Sequence, residues 1–339
     1  MRSFFRAAFI FVSAIMCILP AQANTLSQVR ERGHLLCGVN TSLPGFAIQQ
    51  TNGTWTGFDV DFCRAVAAAI FADSNAVNFI PLNATQRFDA LQSGEIDLLS
   101  RNTTWTFSRD TKLKLNFAGT SYFDGQGFLI AKRININSAL DLQGARICVQ
   151  VDTTTEHNLS DFLQAQRIHY FPIRFKDAEE AIELYRRGDC DVYTADASAL
   201  AATRASLATP SDHTILPEII SKEPLGPVVR EGDEMWTNLV RWTLNALIVA
   251  EELNVTSKNV EMLAKTTVHR DVGRLLGTQD ALGTQLGLEV DWVVAVIKSV
   301  GNYGEVFERN IGEGTPIGLS RGLNDQWQNG GLLYAQPFR

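Results

Sequence analysis

The residues best equipped for chemistry lie in one stretch, Ser100 to Arg109, reading S-R-N-T-T-W-T-F-S-R. The planar fork of Arg109 matches the two oxygens of a carboxylate. Asn102 and Thr104 add neutral hydrogen-bonding groups beside it. The stretch follows a short apolar run, Ile96 to Leu99, that reads as a buried strand, and α/β sheets bind ligands in the loops at the carboxyl ends of their strands. Two readings compete for the isolated segment. It grips an anion, or it is a solvated loop in which Arg109 pairs with Asp110.

Two further groups bear on that choice. Thr153-Thr154-Thr155-Glu156 follows an expected strand at Arg146 to Val151, and Thr153 with Glu156 fits a capping box. Such a helix start offers free backbone N–H groups and a positive dipole end to a carboxylate. Asp196 stands just past an expected strand at Cys190 to Thr194, where it either caps the helix starting at Ala197 or supplies a fixed negative charge. An arginine fork and helix start opposed by a carboxylate complement a zwitterion, and an α-amino acid is the simplest ligand of that kind. Asp59 and Asp61 read as helix capping and first-turn charge, Trp236 and Trp242 as packing, and Arg101 and Trp105 as structural.

Covalent chemistry lacks its residues. No paired Ser–His or Cys–His motif, two-carboxylate arrangement or cofactor loop is visible. Gly312-x-Gly314 follows no convincing strand, which argues against a nucleotide loop. The histidines at 34, 157, 169, 213 and 269 are scattered and no C-x-x-C occurs, so neither a metal nor a cofactor is expected.

The elements that must position these groups alternate. Leu35 to Val39 reads as a strand with Leu35, Cys37 and Val39 on one face. Asn52-Gly53 is a turn signal, and a helix from Asp59 carries Val60, Cys63, Ala67, Ile70 and Phe71 at helical spacing. Val77 to Pro81 is a second strand. Thr85 to Gln92 is a short helix with Phe88 and Leu91 inward, stopped by Gly94. With Ile96 to Leu99 the order is β-α-β-α-β, the mark of a mainly parallel sheet. Leu113 to Phe117 and Tyr122 to Lys132 read as extended, with Asp124-Gly125-Gln126-Gly127 as a hinge.

A second β-α-β-α-β series then begins at Arg146. A helix with Leu159, Phe162 and Leu163 leads to a strand at Tyr170 to Phe175. A helix marked by Ala178, Ala181, Ile182 and Tyr185 ends at Gly188, before the strand at Cys190. Ile215 to Arg230, with three prolines, reads as an extended return crossing, and Asp233 to Leu253 as a long helix. Beyond it the chain is helical in patches, notably Val290 to Val300.

The two series align without gaps: Phe88, Leu91, Gly94, Asp97 and Asn102 match Ile182, Tyr185, Gly188, Asp191 and Asp196. In each, a polar residue stands eight positions after the helix-ending glycine. Two lobes, each presenting a polar strand end, imply a cleft between them closed by a hinge. That repeat turns Ser100–Arg109 from a solvated loop into one jaw of a cleft.

Arg2 and Arg6, an apolar run from Ala7 to Leu19 and Ala21-Gln22-Ala23 make a secretory signal with cleavage expected after Ala23. The apolar run is too short to span a bilayer, which takes about 20 residues. The chain's net charge is −7, and −9 without those two arginines. An acidic, unpatterned surface argues against nucleic acid and anionic membranes. About 316 mature residues exceed one compact core. Four cysteines remain after the leader, Cys37, Cys63, Cys148 and Cys190, and three disulfide pairings are open to an exported protein. Cys37 and Cys63 both face the first sheet, and Cys148 and Cys190 lie on separate strands of the second half, so a bridge within each half is expected.

The chain resembles periplasmic solute-binding proteins of the polar amino-acid family (extracellular family 3), and within it the general L-amino-acid receptors of ABC importers. Gly57-Phe58-Asp59-Val60-Asp61 matches the family's G-F-D-x-D. Leu91 to Asp97 and Asn102 to Arg109 continue the likeness, which runs from about residue 33 to 250. The resemblance implies an α/β two-lobe periplasmic binding protein fold, each lobe a mainly parallel sheet flanked by helices, joined by two hinge crossings. It implies that Arg109 holds the ligand carboxylate and that Asn102, through its backbone carbonyl, and Thr104 contact the ammonium and carboxylate. Thr153 to Thr155 match the second lobe's carboxylate-binding helix start, and Asp196 the acid that takes the ammonium. Members often carry aromatics where Leu43 stands and near Ala84, and their absence here implies a less shaped side-chain pocket.

The expected layout is signal peptide 1–23, first lobe 24–124, second lobe 125–216, return crossing and first-lobe helix 217–255, and an extension, 256–339, packed on the first lobe. The expected function is a monomeric periplasmic receptor that captures L-amino acids by hinge closure and delivers them to an inner-membrane ABC permease. The rival is an enzyme on the same fold, a periplasmic dehydratase of prephenate-like acids. Such an enzyme needs a general acid in the cleft, and Asp196 is its only candidate. A ligand-sensing module, usually fused to a membrane segment, is a third reading.

Overall fold

The computed structural model describes residues 24–339, the side chains of Ala178 and Glu179 excepted. The expected signal peptide lies outside the described residues. The chain opens with helix α1 (Thr25–Arg32) and strand β1 (Leu35–Asn40). A small pair, β2 (Ile48–Gln49) and β3 (Trp55–Thr56), leads into helix α2 (Phe58–Phe71), strand β4 (Val77–Leu82), helix α3 (Arg87–Ser93) and strand β5 (Leu98–Leu99). Helix α4 (Phe107–Lys112) and strand β6 (Leu115–Phe117) follow.

The first sheet has the order β4-β1-β5-β14-β6, where β14 (Val228–Arg230) returns late in the chain. Its first three strands are parallel, and β14 runs antiparallel to its neighbours. In β1 only Leu36 is not fully buried, because helices cover both faces of the sheet. Gly57 enters α2 at a φ of +138°, and a Cβ there would lie 2.1 Å from the carbonyl oxygen of Phe46, so no other residue fits the approach.

Strand β7 (Tyr122–Asp124) carries the chain out of this lobe, and β13 (Glu223–Leu225) brings it back. The two pair antiparallel as a separate ribbon, so the crossings form one hinge. The second lobe comprises β8 (Gln126–Ala131), β9 (Arg146–Gln150), α5 (Thr154–Ala165), β10 (Phe171–Phe175), α6 (Ala178–Arg187), β11 (Val192–Asp196), α7 (Ala197–Ser206) and β12 (His213–Ile215). Its sheet order, β10-β9-β11-β8-β12, repeats that of the first lobe. The fold is the expected two-lobe α/β architecture.

The aligned units superpose in chemistry as well as order. Gly94 and Gly188 both end their helices in the left-handed region. Asp97 accepts the amide of Leu36 at 2.8 Å, and Asp191 that of Arg146 at 3.0 Å; each also pairs with an arginine, Arg32 or Arg146.

Helix α8 (Glu234–Glu252) buries Trp236, Leu239, Val240 and Leu244 against the first lobe, and the indole N–H of Trp236 donates to the carbonyl of Asp97. Helices α9 (Val260–Thr266), α10 (Arg270–Leu275), α11 (Trp292–Val300) and α12 (Tyr303–Asn310) then add to the same core, with Tyr303 edge-on to Phe58. The extension also braces the hinge. Tyr303 donates its hydroxyl to the carbonyl of Ser121, and Asn324 accepts the amide of Phe123 while donating back to its carbonyl.

Disulfides join Cys37 to Cys63, tying β1 to α2, and Cys148 to Cys190 within the second lobe. Cys190 sits two residues before β11 rather than on it, because the ladder of that strand begins at Val192 opposite Ile147. The strand expected at Cys190–Thr194 is therefore displaced to Val192–Asp196, and Asp196 is its last residue.

Candidate functional site

The two lobes meet at the loop after β5 and the strand ends of the second sheet. Asn102 anchors the first jaw. Its φ of +30° is unusual for a residue other than glycine, and asparagine tolerates it better than most. Asp59 holds it there, accepting the amide of Asn102 at 3.1 Å and the hydroxyl of Ser100 at 3.4 Å. The carboxylate of Asp59 therefore does not cap α2, whose N-cap is Gly57, and the capping reading is corrected. Burial pushes Asp59 up to about 7 against the pull of the Asn102 amide and Arg101. Asp61 is turned away from the cleft and pairs with Arg64 and Arg309.

The last residues of the Ser100–Arg109 stretch are helical, contrary to its reading as loop throughout. Thr106 caps α4 by accepting the amide of Arg109 at 3.3 Å, which fixes the arginine in the helix's first turn. Arg109 makes no ion pair with Asp110. It is buried, donates to the carbonyl of Thr104 at 2.9 Å and lies over the ring of Phe88. Arg101 donates to the carbonyl of Leu82 and also lies on the wall of the space between the lobes, and Trp105 stacks on Phe117.

Across the cleft, Thr153 caps α5 by accepting the amide of Glu156, but the capping box is only half formed. The Glu156 carboxylate instead accepts the amide of Asp152 and pairs with Arg174. Thr154 begins the helix, and its hydroxyl lies 3.3 Å from that of Thr104 and donates to Glu223 of the hinge ribbon. Asp196 occupies the N-cap position of α7 without capping it. Its carboxylate accepts instead from the side chain of Asn102 at 3.4 Å, so the two residues matched by the internal repeat meet.

The lobes enclose a cavity of about 50 Å³ lined by Leu43, Arg87, Asn102, Thr104, Thr153, Thr154 and Asp196, among others. Leu43 is on its wall; Ala84 is buried and not among the lining residues. Arg109 stands behind the wall through Thr104. Five of the six expected site residues thus line the cavity, and Arg109 does not.

The charges there are desolvated and poorly matched. Asp196 is held well above the carboxylate range by burial first, then by Asp124 and Glu223. Burial lowers Arg109, opposed by Glu223 and Asp196. Asp124 is pushed up to about 6 by burial, although Ser198 and the Gly125 amide hydrogen-bond to it. Arg87 was not anticipated. It opens α3, and its guanidinium lies over Phe88 at 4.7 Å. A signal existed, since a cation in a helix's first turn opposes the macrodipole and needs a separate reason to be there. Among the described residues no group of three or more His, Cys, Asp and Glu side chains is arranged to hold a metal ion, and no helix is long and apolar enough to cross a membrane.

Residues 35–259 match the family model of bacterial extracellular solute-binding proteins, family 3. The chain is 54% identical to the general L-amino acid-binding periplasmic protein AapJ of Rhizobium johnstonii, over 94% of both chains. It is 52% identical to the glutamate/glutamine/aspartate/asparagine-binding protein BztA of Rhodobacter capsulatus, again over 94% of both. An ABC transporter periplasmic binding protein from Brucella ovis, solved with glutathione bound, is 57% identical with a TM-score of 0.92, covering 94% of this chain and all of that one. The chain belongs to the bacterial extracellular solute-binding proteins, family 3.

Proposed function

We propose that this chain is a periplasmic receptor that captures L-amino acids between its lobes and delivers them to an inner-membrane ABC permease. The observation that carries the reading is the unbalanced cleft. Asp196 borders the interlobe cavity, desolvated beside Asp124 and Glu223, a surplus of negative charge that an ammonium offsets, and the Arg109 guanidinium is buried behind the wall at Thr104. Arg109 and the α5 start at Thr153 and Thr154 take the carboxylate, Asp196 takes the ammonium, and Asn102 and Thr104 give direction. A cavity of about 50 Å³ admits such a ligand only after the lobes part, so capture goes by hinge motion about the β7–β13 ribbon. The proposed layout is a first lobe at 24–124, a second lobe at 125–216, a return crossing with a first-lobe helix at 217–255 and an extension at 256–339. Cleavage after Ala23, release into the periplasm and a monomeric state complete the proposal.

The names of the relatives support it. AapJ and BztA are binding proteins for amino acids, and the glutathione held by the Brucella ovis protein itself begins with an amino-acid head. Relatives at this identity over most of the chain are solute-binding receptors, so the dehydratase alternative is not favoured. Titration calorimetry of the mature protein against the common L-amino acids tests the reading. Saturable binding is expected, with Arg109→Ala and Asp196→Ala each weakening it by at least about 100-fold. The thermal midpoint of the empty protein should not fall in either variant. Binding to none of these ligands, or turnover of prephenate, overturns the proposal; normal binding by either variant overturns the role of that residue.

A further inference from the structure

Asn102 and Asp196, aligned by the internal repeat, stand 94 residues apart in the chain and meet beside the cavity. The same offset of 94 relates Asn83 to Asp177, and these two meet as well. The side-chain amide of Asn83 donates to the carboxylate of Asp177 at 3.2 Å, from one lobe to the other. Contact between equivalent residues is the mark of a twofold arrangement, here of the two lobes. Asn83 follows β4 and Asp177 follows β10, the matching edge strands of the two sheets. Asn83 is half-buried and Asp177 exposed, and neither lines the interlobe cavity. The pair therefore sits at the outer rim of the cleft.

Both side chains are set for this contact by their own lobes. The Oδ1 of Asn83 accepts the amides of Thr85 and Gln86, each at 3.1 Å, and the hydroxyl of Thr85 at 2.8 Å, which leaves Nδ2 aimed outward. Asp177 occupies the N-cap position of α6 without capping it, although aspartate is among the preferred caps. Its carboxylate is turned across the gap instead, where it also favours the charge of Arg101 on the first lobe. The hinge lies on the other side of both sheets. The ribbon continues into β14 and β8, each three places along its sheet from β4 or β10. Three strand spacings come to about 14 Å, so an opening of about 15° parts the pair by about 4 Å and breaks it. The bond thus belongs to the closed state. Unlike Asn102–Asp196, it does not compete with the ammonium of a ligand.

We propose that Asn83 and Asp177 form a latch at the rim of the cleft that holds the lobes closed over the ligand and sets how fast it leaves. This rests on the reading of capture between the lobes and deepens it. Ligand enters the open state, in which the pair is apart, so the latch acts on dissociation and not on association. It acts alike on every ligand, because neither residue borders the cavity.

Stopped-flow kinetics with L-glutamine, L-glutamate and L-alanine test the latch, and any other common L-amino acid that calorimetry finds to bind serves where these do not. Asn83→Asp keeps the acceptor oxygen that Thr85 and Gln86 use, and sets a second carboxylate against Asp177. It should quicken dissociation about five-fold for each ligand that binds the parent, with association unchanged. Asp177→Asn, added to Asn83→Asp, exchanges donor and acceptor and should bring dissociation back to within about two-fold of the parent. A role confined to the fold of either lobe would not be restored by that exchange. Thermal melts of the empty variants confirm folding. Parent-like dissociation in Asn83→Asp, no recovery in the doubly substituted protein, or an effect confined to one of several bound ligands overturns the latch while leaving the receptor reading intact. Failure of every common L-amino acid to bind the parent overturns both.

Discussion

Asp59 makes the stability of this protein fall as pH rises, and the size of the effect follows from its surroundings. Its folded value is about 7, raised by burial, against about 3.9 in an unfolded chain. Between those values the folded state binds a proton that the unfolded state has released, so stability declines as pH climbs toward 7 and is flat beyond it. Linkage puts the loss from this one group at about 2.5 kcal/mol between pH 5 and pH 8. Asp124 and Asp97 are raised as well and act in the same sense, whereas the lowered value of His213 opposes them. Asp59→Asn isolates the term, because its amide oxygen can still accept the Asn102 amide while the titration disappears. Urea unfolding of parent and variant at both pH values gives the difference directly. The parent should lose about 2.5 kcal/mol relative to Asp59→Asn on going from pH 5 to pH 8. A difference that is constant, or grows in the parent's favour with pH, would mean that Asp59 is not the buried acid described.

Two further substitutions probe the elements around the cleft. Asp61→Ala removes the acceptor of Arg309 at 2.6 Å and Asn310 at 2.8 Å, and should cost about 2–4 kcal/mol in urea unfolding, with faster amide exchange concentrated in α12. A cost below about 0.5 kcal/mol would refute a stabilising role for this tie between the first lobe and the extension. Glu223→Gln replaces a carboxylate that accepts three hydrogen bonds by an amide that meets the Thr154 hydroxyl with N–H, reversing the direction of the Thr104–Thr154–Glu223 chain. Ligand dissociation measured by stopped flow should quicken about ten-fold; an unchanged rate would remove the hinge carboxylate from closure.

What could be read from the chain alone depended on range. The strands and helices of both lobes announce themselves by local periodicity, and the offset from Gly94 to Asn102 and from Gly188 to Asp196 needed only eight residues of agreement in each half. That short-range regularity placed Asn102 opposite Asp196, which the structure brings within 3.4 Å. Failures began where a side chain answers to a distant partner. Asp59 and Asp61 look alike in the first turn of α2, yet one faces a loop about 40 residues on and the other an arginine nearly 250 residues on. No helix-capping rule separates them, because the rule sees only the neighbouring amides. Helix α4 escaped notice for a related reason: its six residues carry no apolar stripe, and its one buried residue is Arg109. Arg87 was passed over as part of a helix boundary although its charge sits at the wrong end of the dipole. Asp59, Arg109 and Arg87 are thus polar groups whose local conformation is unfavourable or unremarkable and whose burial is explained only across the fold. On the proposed reading, in which charge holds the ligand, those are the groups that would carry the function, so the periodic residues locate the cleft and the locally anomalous ones would determine what enters it.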